Sequence, residues 1–374
     1  MIYLDNSATT KPSEAAVAAA EYVMREAFGN PSSLHTLGMQ AEDALQRARR
    51  QAAAALSARE EEICFTSGGT EANNLALLGG AAARQKRGRR IVTTAIEHAS
   101  IEESARELEA RGFEVVRVQP EADGTIDAEA LRQAITPDTI LVSVMMVNNE
   151  TGALPPVEVV APRIREVGAP ALFHIDAVQA LGKYKIDPAA LGADLVTVSG
   201  HKIHALKGCG ALYIRRGVTI RRRSFGGSQE RSMRAGTEGV PAIAAFGAAC
   251  AQLDPARARR AIEPVKEAFC RALLAIPGVA CNSPENGAYH ILNISAPGYR
   301  SETLLHALAR REIYVSSGSA CKKGEKSPVL TAQGLPPARI DGALRLSFCE
   351  DNTVEEAAPV AAALREILKT TAHR

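Results

Sequence analysis

Short apolar runs alternate with alanine-rich amphipathic stretches over the first two thirds of the chain. The apolar runs predict buried strands at EICFTS, RIVTTA, EVVRV, TILVSVMMV, ALFHID, LVTVS and ALYIR. The amphipathic stretches predict helices at 14–28, 39–56, 71–83, 101–111, 128–134 and 158–167. Ser13 is well placed to cap the first of these helices. Strands that alternate with helices predict an α/β fold in which a mostly parallel sheet is sandwiched by helices.

The pattern changes from about Pro255 onwards. A long helix is predicted over 256–275, with a kink or a break near Pro264. Short strands and further helices are predicted after it, at 288–294, 302–311, 313–315, 343–348 and 354–369. We therefore predict a large domain over 13–254 and a smaller α+β domain formed by 1–12 and 255–374.

Composition narrows the classes of function. The 374 residues carry 44 basic and 42 acidic side chains, a net charge of +2, which gives no argument for direct binding to nucleic acid or a membrane. No apolar stretch approaches the roughly 20 residues of a transmembrane helix, and the first residues show no secretory signal. Seven scattered cysteines without a C-x-x-C pair argue against a disulfide scaffold or a structural metal site. They favour a reducing cytoplasm.

A carboxylate and an amine end two successive buried strands. Asp176 closes the run ALFHID, and Lys202 follows LVTVS in the loop SGHKIH. Pyridoxal phosphate (PLP) needs a lysine for its Schiff base and a carboxylate beside its ring nitrogen. Ligands of parallel sheets bind at the carboxyl ends of the strands, so this pair predicts a PLP site there. The same region would also allow a metal site formed by His174, Asp176, His201 and His204, which the neighbouring Lys202 disfavours.

Two further strand ends carry residues that suit this cofactor. The loop of FTSGGTEANNLAL places Gly69 and Thr70 at the start of a predicted helix, where backbone amides can bind a phosphate. His98 follows RIVTTA, where an imidazole can stack on a flat ring or move protons. Taken alone, a plain strand-to-helix turn and a structural histidine are the alternative interpretations.

One cysteine differs from the other six in its setting. Cys321 lies in SSGSACKKGEKSPVL, at 316–330, and the small polar residues around it predict an exposed loop. The adjacent Lys322 and Lys323 would favour ionisation of its thiol. The alternative is an incidental surface cysteine. Cys349 is interpreted as a packing residue rather than a second redox-active thiol.

Together, these motifs resemble the cysteine desulfurases of the iron–sulfur-assembly type, in the class-V aminotransferase group of PLP enzymes. The motifs that carry the resemblance span nearly the full length and are YLDNSATTKP, FGNPSSLH, FTSGGTEANNLAL, TAIEHAS, VNNETG, HIDAVQALGK, VSGHKIH, MRAGTE, SSGSAC and RLSF. The resemblance implies an aspartate-aminotransferase-like fold of type I and a homodimer.

The resemblance also implies a role for each matching position. Lys202 would hold the cofactor, Cys321 would accept the sulfur, and His98 would stack on the ring and shuttle protons. Asn149 would contact the cofactor or the substrate, and Arg345 would clamp the substrate carboxylate. The remaining implied cofactor-binding residues are Gly69, Thr70, Asp176, Gln179, Ser199, His201 and Thr237. Thr237 would reach the cofactor of the other subunit.

The implied activity is PLP-dependent desulfuration of L-cysteine. It would give L-alanine and a persulfide on Cys321, which a sulfur acceptor would take for iron–sulfur cluster assembly or tRNA thiolation. The alternatives are a selenocysteine lyase or an aminotransferase of the same fold, and a non-catalytic scaffold protein. An aminotransferase has no need for Cys321. The presence of Lys202, Asp176 and His98 disfavours the scaffold.

Overall fold

The computed structural model describes residues 1–317 and 326–370. The helices in these parts are α1 Glu14–Arg25, α2 Thr36–Ala55, α3 Gly69–Arg84, α4 Ala99–Ala110, α5 Ala128–Ala134, α6 Val160–Val167, α7 Pro188–Leu191, α8 Val240–Cys250, α9 Pro255–Leu274, α10 Ser301–Ala309, α11 Pro328–Ala332, α12 Pro337–Asp341 and α13 Ala357–Thr370. The strands are β1 Ile2–Tyr3, β2 Ile63–Thr66, β3 Arg90–Thr94, β4 Glu114–Val118, β5 Thr139–Met145, β6 Leu172–Asp176, β7 Leu195–Ser199, β8 Gly210–Ile214, β9 Ala280–Cys281, β10 Ile291–Ser295, β11 Ile313–Tyr314 and β12 Ala343–Ser347.

A seven-stranded sheet, in the order β2-β8-β7-β6-β5-β3-β4, organises the larger part of the molecule. Strand β8 runs in the opposite direction to the other six strands of this sheet and is antiparallel to both of its neighbours, β2 and β7. Every residue of β5, β6 and β7 is buried, as expected for strands covered by helices on both faces. The predicted α/β fold with a mostly parallel sheet is confirmed.

Local sequence signals explain most helix boundaries. The predicted Ser13 cap is confirmed, since its side chain accepts a hydrogen bond of 3.3 Å from the Ala16 amide. The predicted break at Pro264 does not occur, because α9 runs unbroken from Pro255 to Leu274, and the alternative of a kink stays a prediction. Pro264 lies on the exposed side of α9, where water can bind the backbone carbonyl that lacks a helical donor.

Helix α8 has no counterpart among the predicted elements. Its sequence, VPAIAAFGAAC, is apolar on every side, so it lacks the periodicity that marks a surface helix. It packs against α1 and α2. A Cβ atom at Gly247 would lie 2.5 Å from the Ala48 Cα, so glycine is needed for α2 and α8 to approach this closely.

Two small sheets lie outside the large sheet, and the first residues of the chain contact both of them. Strands β9, β10 and β12 form an antiparallel sheet, and β1 pairs in parallel with β11. After β1, Asp5 forms a bridge with Ser347. The Ser7 amide then donates a 2.7 Å hydrogen bond to the Ser347 hydroxyl. The amino-terminal arm, residues 1–12, is thus hydrogen-bonded to strands that lie more than 300 residues later in the sequence.

Apolar side chains cluster separately in the two parts. The largest cluster lies around the seven-stranded sheet, whereas a second is formed by Leu4 together with buried residues between Ala258 and Ile367. This separation supports the division into a large domain at 13–254 and a small domain at 1–12 and 255–374, which stays a proposal. No helix in the described parts combines the length and apolar composition needed to cross a membrane.

Candidate functional site

The carboxyl ends of the parallel strands meet at one edge of the large sheet. Strands β2, β3, β5, β6 and β7 all end there, because β2 and β7 both run against β8. The residues at or just after these ends are those expected from the sequence. They are Gly69, Thr70, His98, Asn149, Asp176, Ser199, His201 and Lys202.

Asp176 is held at the end of β6 by two donors. Its Oδ2 accepts a 2.8 Å hydrogen bond from the Asn73 side chain, and its Oδ1 accepts one of 3.0 Å from the Val178 amide. The same Asn73 amide group donates to the Ser100 hydroxyl at 2.8 Å. The carboxylate is buried and fixed in orientation, as a partner for a protonated ring nitrogen must be.

His98 belongs to the same network. Its Nδ1 accepts from the Ser100 amide at 3.1 Å and lies 2.8 Å from the Ser100 hydroxyl, so His98 also caps α4. Burial lowers the pKa of His98, the carboxylate of Asp176 opposes this shift, and the charge of Lys202 lowers the pKa further. Loss of the imidazolium proton is therefore favoured, which suits a group that accepts protons near neutral pH.

The amino-terminal arm contacts the side chain of Lys202. Lys202 Nζ donates to the backbone carbonyls of Ser7 and Ala8, the second at 2.7 Å. Gln179 also donates to the Ser7 carbonyl, at 3.0 Å. The Lys202 carbonyl in turn accepts a 3.0 Å hydrogen bond from Lys183 Nζ. Contacts from the arm and from the loop after β6 thus converge on the residue expected to bind the cofactor.

The start of α3 and the end of β7 form a site that suits a phosphate. Gly68, at the N-cap of α3, provides no side-chain cap for the first amides of that helix. A Cβ atom at Gly69 would lie 2.9 Å from Val178 Cγ2, so the side chain of a larger residue would occupy the space beside the start of α3. Ser199 Oγ is buried without a hydrogen-bond partner among the described residues. These features fit the phosphate of PLP.

His201 is next to this site, and Thr70 is exposed at the start of α3. Burial lowers the pKa of His201 to about 4, with a further contribution from the charge of Lys202. His201 Nδ1 lies 3.3 Å from the Thr9 hydroxyl. A neutral imidazole with one ring nitrogen in this contact can still offer the other to a ligand.

Arg345 reaches the site from the opposite side, on β12 of the small antiparallel sheet. Its side chain is only 2% exposed. Nη1 donates to the Asn149 carbonyl at 2.9 Å, and Nη2 donates to Asp5 at 2.8 Å. Nε is buried without a partner in the described parts. The structure therefore brings together Arg345 and Asn149, the two residues expected to contact the substrate.

Of the predicted residues that the structure describes, Thr237 is not joined to this constellation. Thr237 is exposed in the segment between β8 and α8, and none of the hydrogen bonds found at 1–317 and 326–370 links it to the other site residues. Cys321 lies outside the described residues. Cys349 is buried, and burial raises its thiol pKa to about 11, which supports its interpretation as a packing residue.

The metal alternative gains no support from this geometry. Both ring nitrogens of His174 lie against hydroxyls, Nδ1 at 2.9 Å from Ser143 and Nε2 at 3.0 Å from Thr197. Burial lowers the pKa of this imidazole to about 3. Among the residues placed by the structure, no group of three or more His, Cys, Asp or Glu side chains could hold a metal ion.

Two residues of the network are absent from the sequence-based prediction. Asn73 and Ser100 connect Asp176 to His98, and Glu97 is the residue before His98. One Glu97 oxygen accepts from Thr94 at 2.7 Å and from the Met145 amide at 3.0 Å, and the other has no partner within the described chain. Burial raises the pKa of Glu97 to about 8, and the charge of Asp176 adds to the effect. The sequence signals that could have identified these residues are the polar positions inside FTSGGTEANNLAL and TAIEHAS.

Comparison with known proteins agrees with this geometry. Residues 2–360 match the family model described as aminotransferase class-V. Cysteine desulfurase 2 of Trichormus variabilis is 42% identical over 95% of this chain and 90% of its own length. Cysteine desulfurase IscS of Methanosarcina thermophila is 41% identical over 98% of this chain and 92% of its own length.

A solved structure described as a NifS-like protein is similar in fold, with a TM-score of 0.93 and 35% identity over 99% of this chain and all of its own. Another, described as SspA in complex with cysteine, has a TM-score of 0.83 and 30% identity over 94% of this chain and all of its own. The family is PLP-dependent. The chain therefore belongs to the class-V aminotransferase family, within its group of cysteine desulfurases and NifS-like proteins.

Proposed function

We propose that the protein is a PLP-dependent L-cysteine desulfurase. The observation that carries this proposal is the convergence of Lys202, Asp176 and His98 at one sheet edge, facing an arginine from the small sheet. Relatives about 40% identical over nearly the full length are named cysteine desulfurases. A structural neighbour is described as a complex with cysteine.

Each residue of the sheet edge would have a defined task toward the cofactor. Lys202 would hold PLP covalently, Asp176 would pair with the ring nitrogen, and Gln179 with the ring hydroxyl. The phosphate would be bound by Gly69, Thr70, Ser199 and His201. When bound, PLP supplies an electron sink that weakens the bond between Cβ and sulfur of the substrate.

The side chains of this protein then bind and deprotonate the substrate. Arg345 would pair with the substrate carboxylate, and Asn149 would contact the same ligand. The Lys202 amine would take the α-proton, and His98 would move protons beside the ring. The Ser7 and Ala8 carbonyls accept hydrogen bonds from Lys202 Nζ and so orient the amine.

The sulfur atom and the electrons of the transfer would come from the substrate and Cys321 alone. The Cys321 thiolate would attack the sulfur of L-cysteine, the electron pair of the C–S bond would stay with the substrate carbon, and that carbon would take up a proton. L-cysteine and one enzyme thiol thus become L-alanine and one enzyme persulfide, with no external oxidant or reductant. The persulfide would pass to a sulfur-acceptor protein for iron–sulfur cluster assembly or tRNA thiolation.

A homodimer is part of the proposal. Leu34 is 97% exposed, and other large apolar side chains near it in the sequence are exposed as well. These side chains are Tyr22, Met24, Phe28, Leu37 and Met39. An apolar surface of this kind favours a second copy of the chain as its partner. The exposed Thr237 would then serve the cofactor of the other subunit.

A cytoplasmic location is also proposed. The six cysteines that the structure describes are all free thiols, which a reducing compartment preserves.

The experiment that tests this function is incubation of the PLP-loaded protein with L-cysteine. We expect the peptide that contains Cys321 to gain the mass of one sulfur atom, and alanine to form in parallel. Cys321→Ala should leave the substrate-induced change in cofactor absorbance intact but abolish the persulfide. Lys202→Ala should alter the yellow cofactor absorbance and abolish both products. A 2-oxo acid in place of alanine, or undiminished turnover by Cys321→Ala, would identify an aminotransferase instead.

A further inference from the structure

The segment that contains Cys321 is flanked by two buried serines of the described chain. On one side, Ser316 forms a bridge with Arg345: its amide donates to the Arg345 carbonyl at 3.1 Å, and its carbonyl accepts from the Arg345 amide at 2.8 Å. On the other side stands Ser327, six residues after Cys321. Both flanks are buried, so each can fix the point where the segment meets the fold.

Ser327 makes a direct contact with the large domain. Its hydroxyl donates a 2.5 Å hydrogen bond to Glu150 Oε2 and accepts one of 3.0 Å from the Leu330 amide, which caps α11. Glu150 is 6% exposed and Ser327 is 4% exposed. A short hydrogen bond between two buried groups is a strong local restraint, because neither group can exchange its partner for water.

Glu150 is itself held on both sides. Its amide donates to Asn148 Oδ1 at 2.8 Å, and its carbonyl accepts from the Asn293 side chain at 3.1 Å. The residue before it, Asn149, accepts the 2.9 Å hydrogen bond from Arg345. Glu150 therefore lies in the same short loop as the residue that contacts the proposed substrate-binding arginine.

We propose that Glu150 is a positioning residue for sulfur transfer, because its contact with Ser327 sets the point from which the Cys321 segment extends. This inference rests on the proposed desulfurase function. Ser327 is the second described residue after this segment and only six positions from Cys321 in the sequence, so a contact at Ser327 acts close to the thiol along the chain. The Ser316 bridge to Arg345 and the Ser327 contact to Glu150 place both ends of the segment beside residues that bind the substrate.

The test is a double-mutant cycle with Glu150→Ala, Ser327→Ala and the double variant, each as the PLP-loaded full chain. The first measurement is the single-turnover rate of persulfide formation at Cys321. We expect each single variant to be about 10-fold slower than the wild type, since one hydrogen bond to a charged group is lost. The double variant should be no slower than Ser327→Ala, because both substitutions break the same contact.

Three further measurements separate positioning from a general structural defect. Titration with L-alanine, followed by cofactor absorbance, should give dissociation constants within about twofold of the wild type, since Arg345 and Asn149 are retained. Hydrogen exchange in 326–335 should be faster in both single variants. Ser327→Thr keeps the hydroxyl and should restore the persulfide rate to within about threefold. Thr139→Ala is the matched control, because it removes the hydroxyl of a buried residue that accepts a 3.0 Å hydrogen bond from the Thr136 amide at the start of β5.

The outcomes are decisive in both directions. If Glu150→Ala transfers sulfur as fast as the wild type, or if the two substitutions act additively, the inference is wrong. The same holds if affinity for L-alanine falls in parallel with the persulfide rate. Failure of the wild type to form any persulfide would instead overturn the proposed function.

Discussion

The proposed cofactor side and the proposed substrate side of the site are built in different ways. On the cofactor side, Asp176, Asn73, Ser100 and His98 are joined by hydrogen bonds between neighbouring elements of one sheet and its helices. On the proposed substrate side, Arg345 belongs to β12 of the small antiparallel sheet. Its side chain donates hydrogen bonds to a loop of the large sheet and to the amino-terminal arm. The orientation of the Asp176 and His98 side chains is therefore set by one sheet and its helices. The orientation of Arg345 depends instead on how the small sheet packs against the large sheet.

The largest effect expected from this difference concerns Asn73. Asn73→Ala removes a donor from the buried Asp176 carboxylate and from Ser100, so affinity for PLP should fall about 30-fold, the cost of one hydrogen bond to a charged group. Absorbance titration of the apoprotein with PLP measures it. The KM for L-cysteine should change little, because Arg345 is untouched. If Asn73→Ala lost affinity for L-cysteine but kept its affinity for PLP, the proposed separation of a cofactor side from a substrate side would be wrong.

A smaller effect concerns the pH dependence of stability. The pKa of Glu97 is raised to about 8 by burial, and that of Glu150 to about 7, against a usual value near 4.3. Between the usual and the raised value, the folded state binds more protons than the unfolded state. Each group therefore lowers the free energy of unfolding as the pH rises through this window.

Glu97→Gln removes one of these titrations. Between pH 7 and pH 9 the wild type should lose about 1.4 kcal/mol more of its free energy of unfolding than this variant does. Urea unfolding at a series of pH values measures the difference. The matched variant Glu150→Gln should stop diverging from the wild type at a lower pH than Glu97→Gln does, because the pKa of Glu150 is lower. Parallel curves for the wild type and Glu97→Gln would show that Glu97 does not titrate in this range.

The smallest effect is expected at Asp5 on the substrate side. Asp5 pairs with Arg345 at 2.8 Å and partly neutralises the charge proposed to attract the substrate carboxylate. Asp5→Asn keeps an acceptor for the guanidinium but removes the negative charge. The KM for L-cysteine should therefore fall about threefold, the size of a modest ion-pair effect. Steady-state kinetics give the answer, and unchanged affinity for PLP is the internal control. A higher KM would mean that Asp5 acts by orienting Arg345.

The strand pattern predicted the large sheet because its buried apolar runs are separated by amphipathic helices. It also placed Asp176, His98 and Lys202 at one edge, since carboxyl ends of parallel strands must meet there. It missed α8, because a helix that is apolar all round carries no periodic signal. The break expected at Pro264 does not occur, because whether a proline breaks a helix depends on which side of the helix faces water.

The supporting network was harder to anticipate. Asn73 and Ser100 are ordinary polar residues in helices, and only the packing of α3 against α4 brings them to Asp176 and His98. The contact between Glu150 and Ser327 joins residues 177 positions apart. No local rule of propensity or capping reports contacts of that separation, so they follow from tertiary structure alone.

The amino-terminal arm has a consequence for biosynthesis. Ser7 and Ala8, whose carbonyls hold the Lys202 amine, leave the ribosome first, yet β11 and β12, which bind the arm, are among the last elements made. Translation proceeds at about 5–20 residues per second, so the arm must wait many seconds for these strands. The catalytic pocket can close only when the nascent polypeptide is nearly complete, which makes its assembly a final event of synthesis.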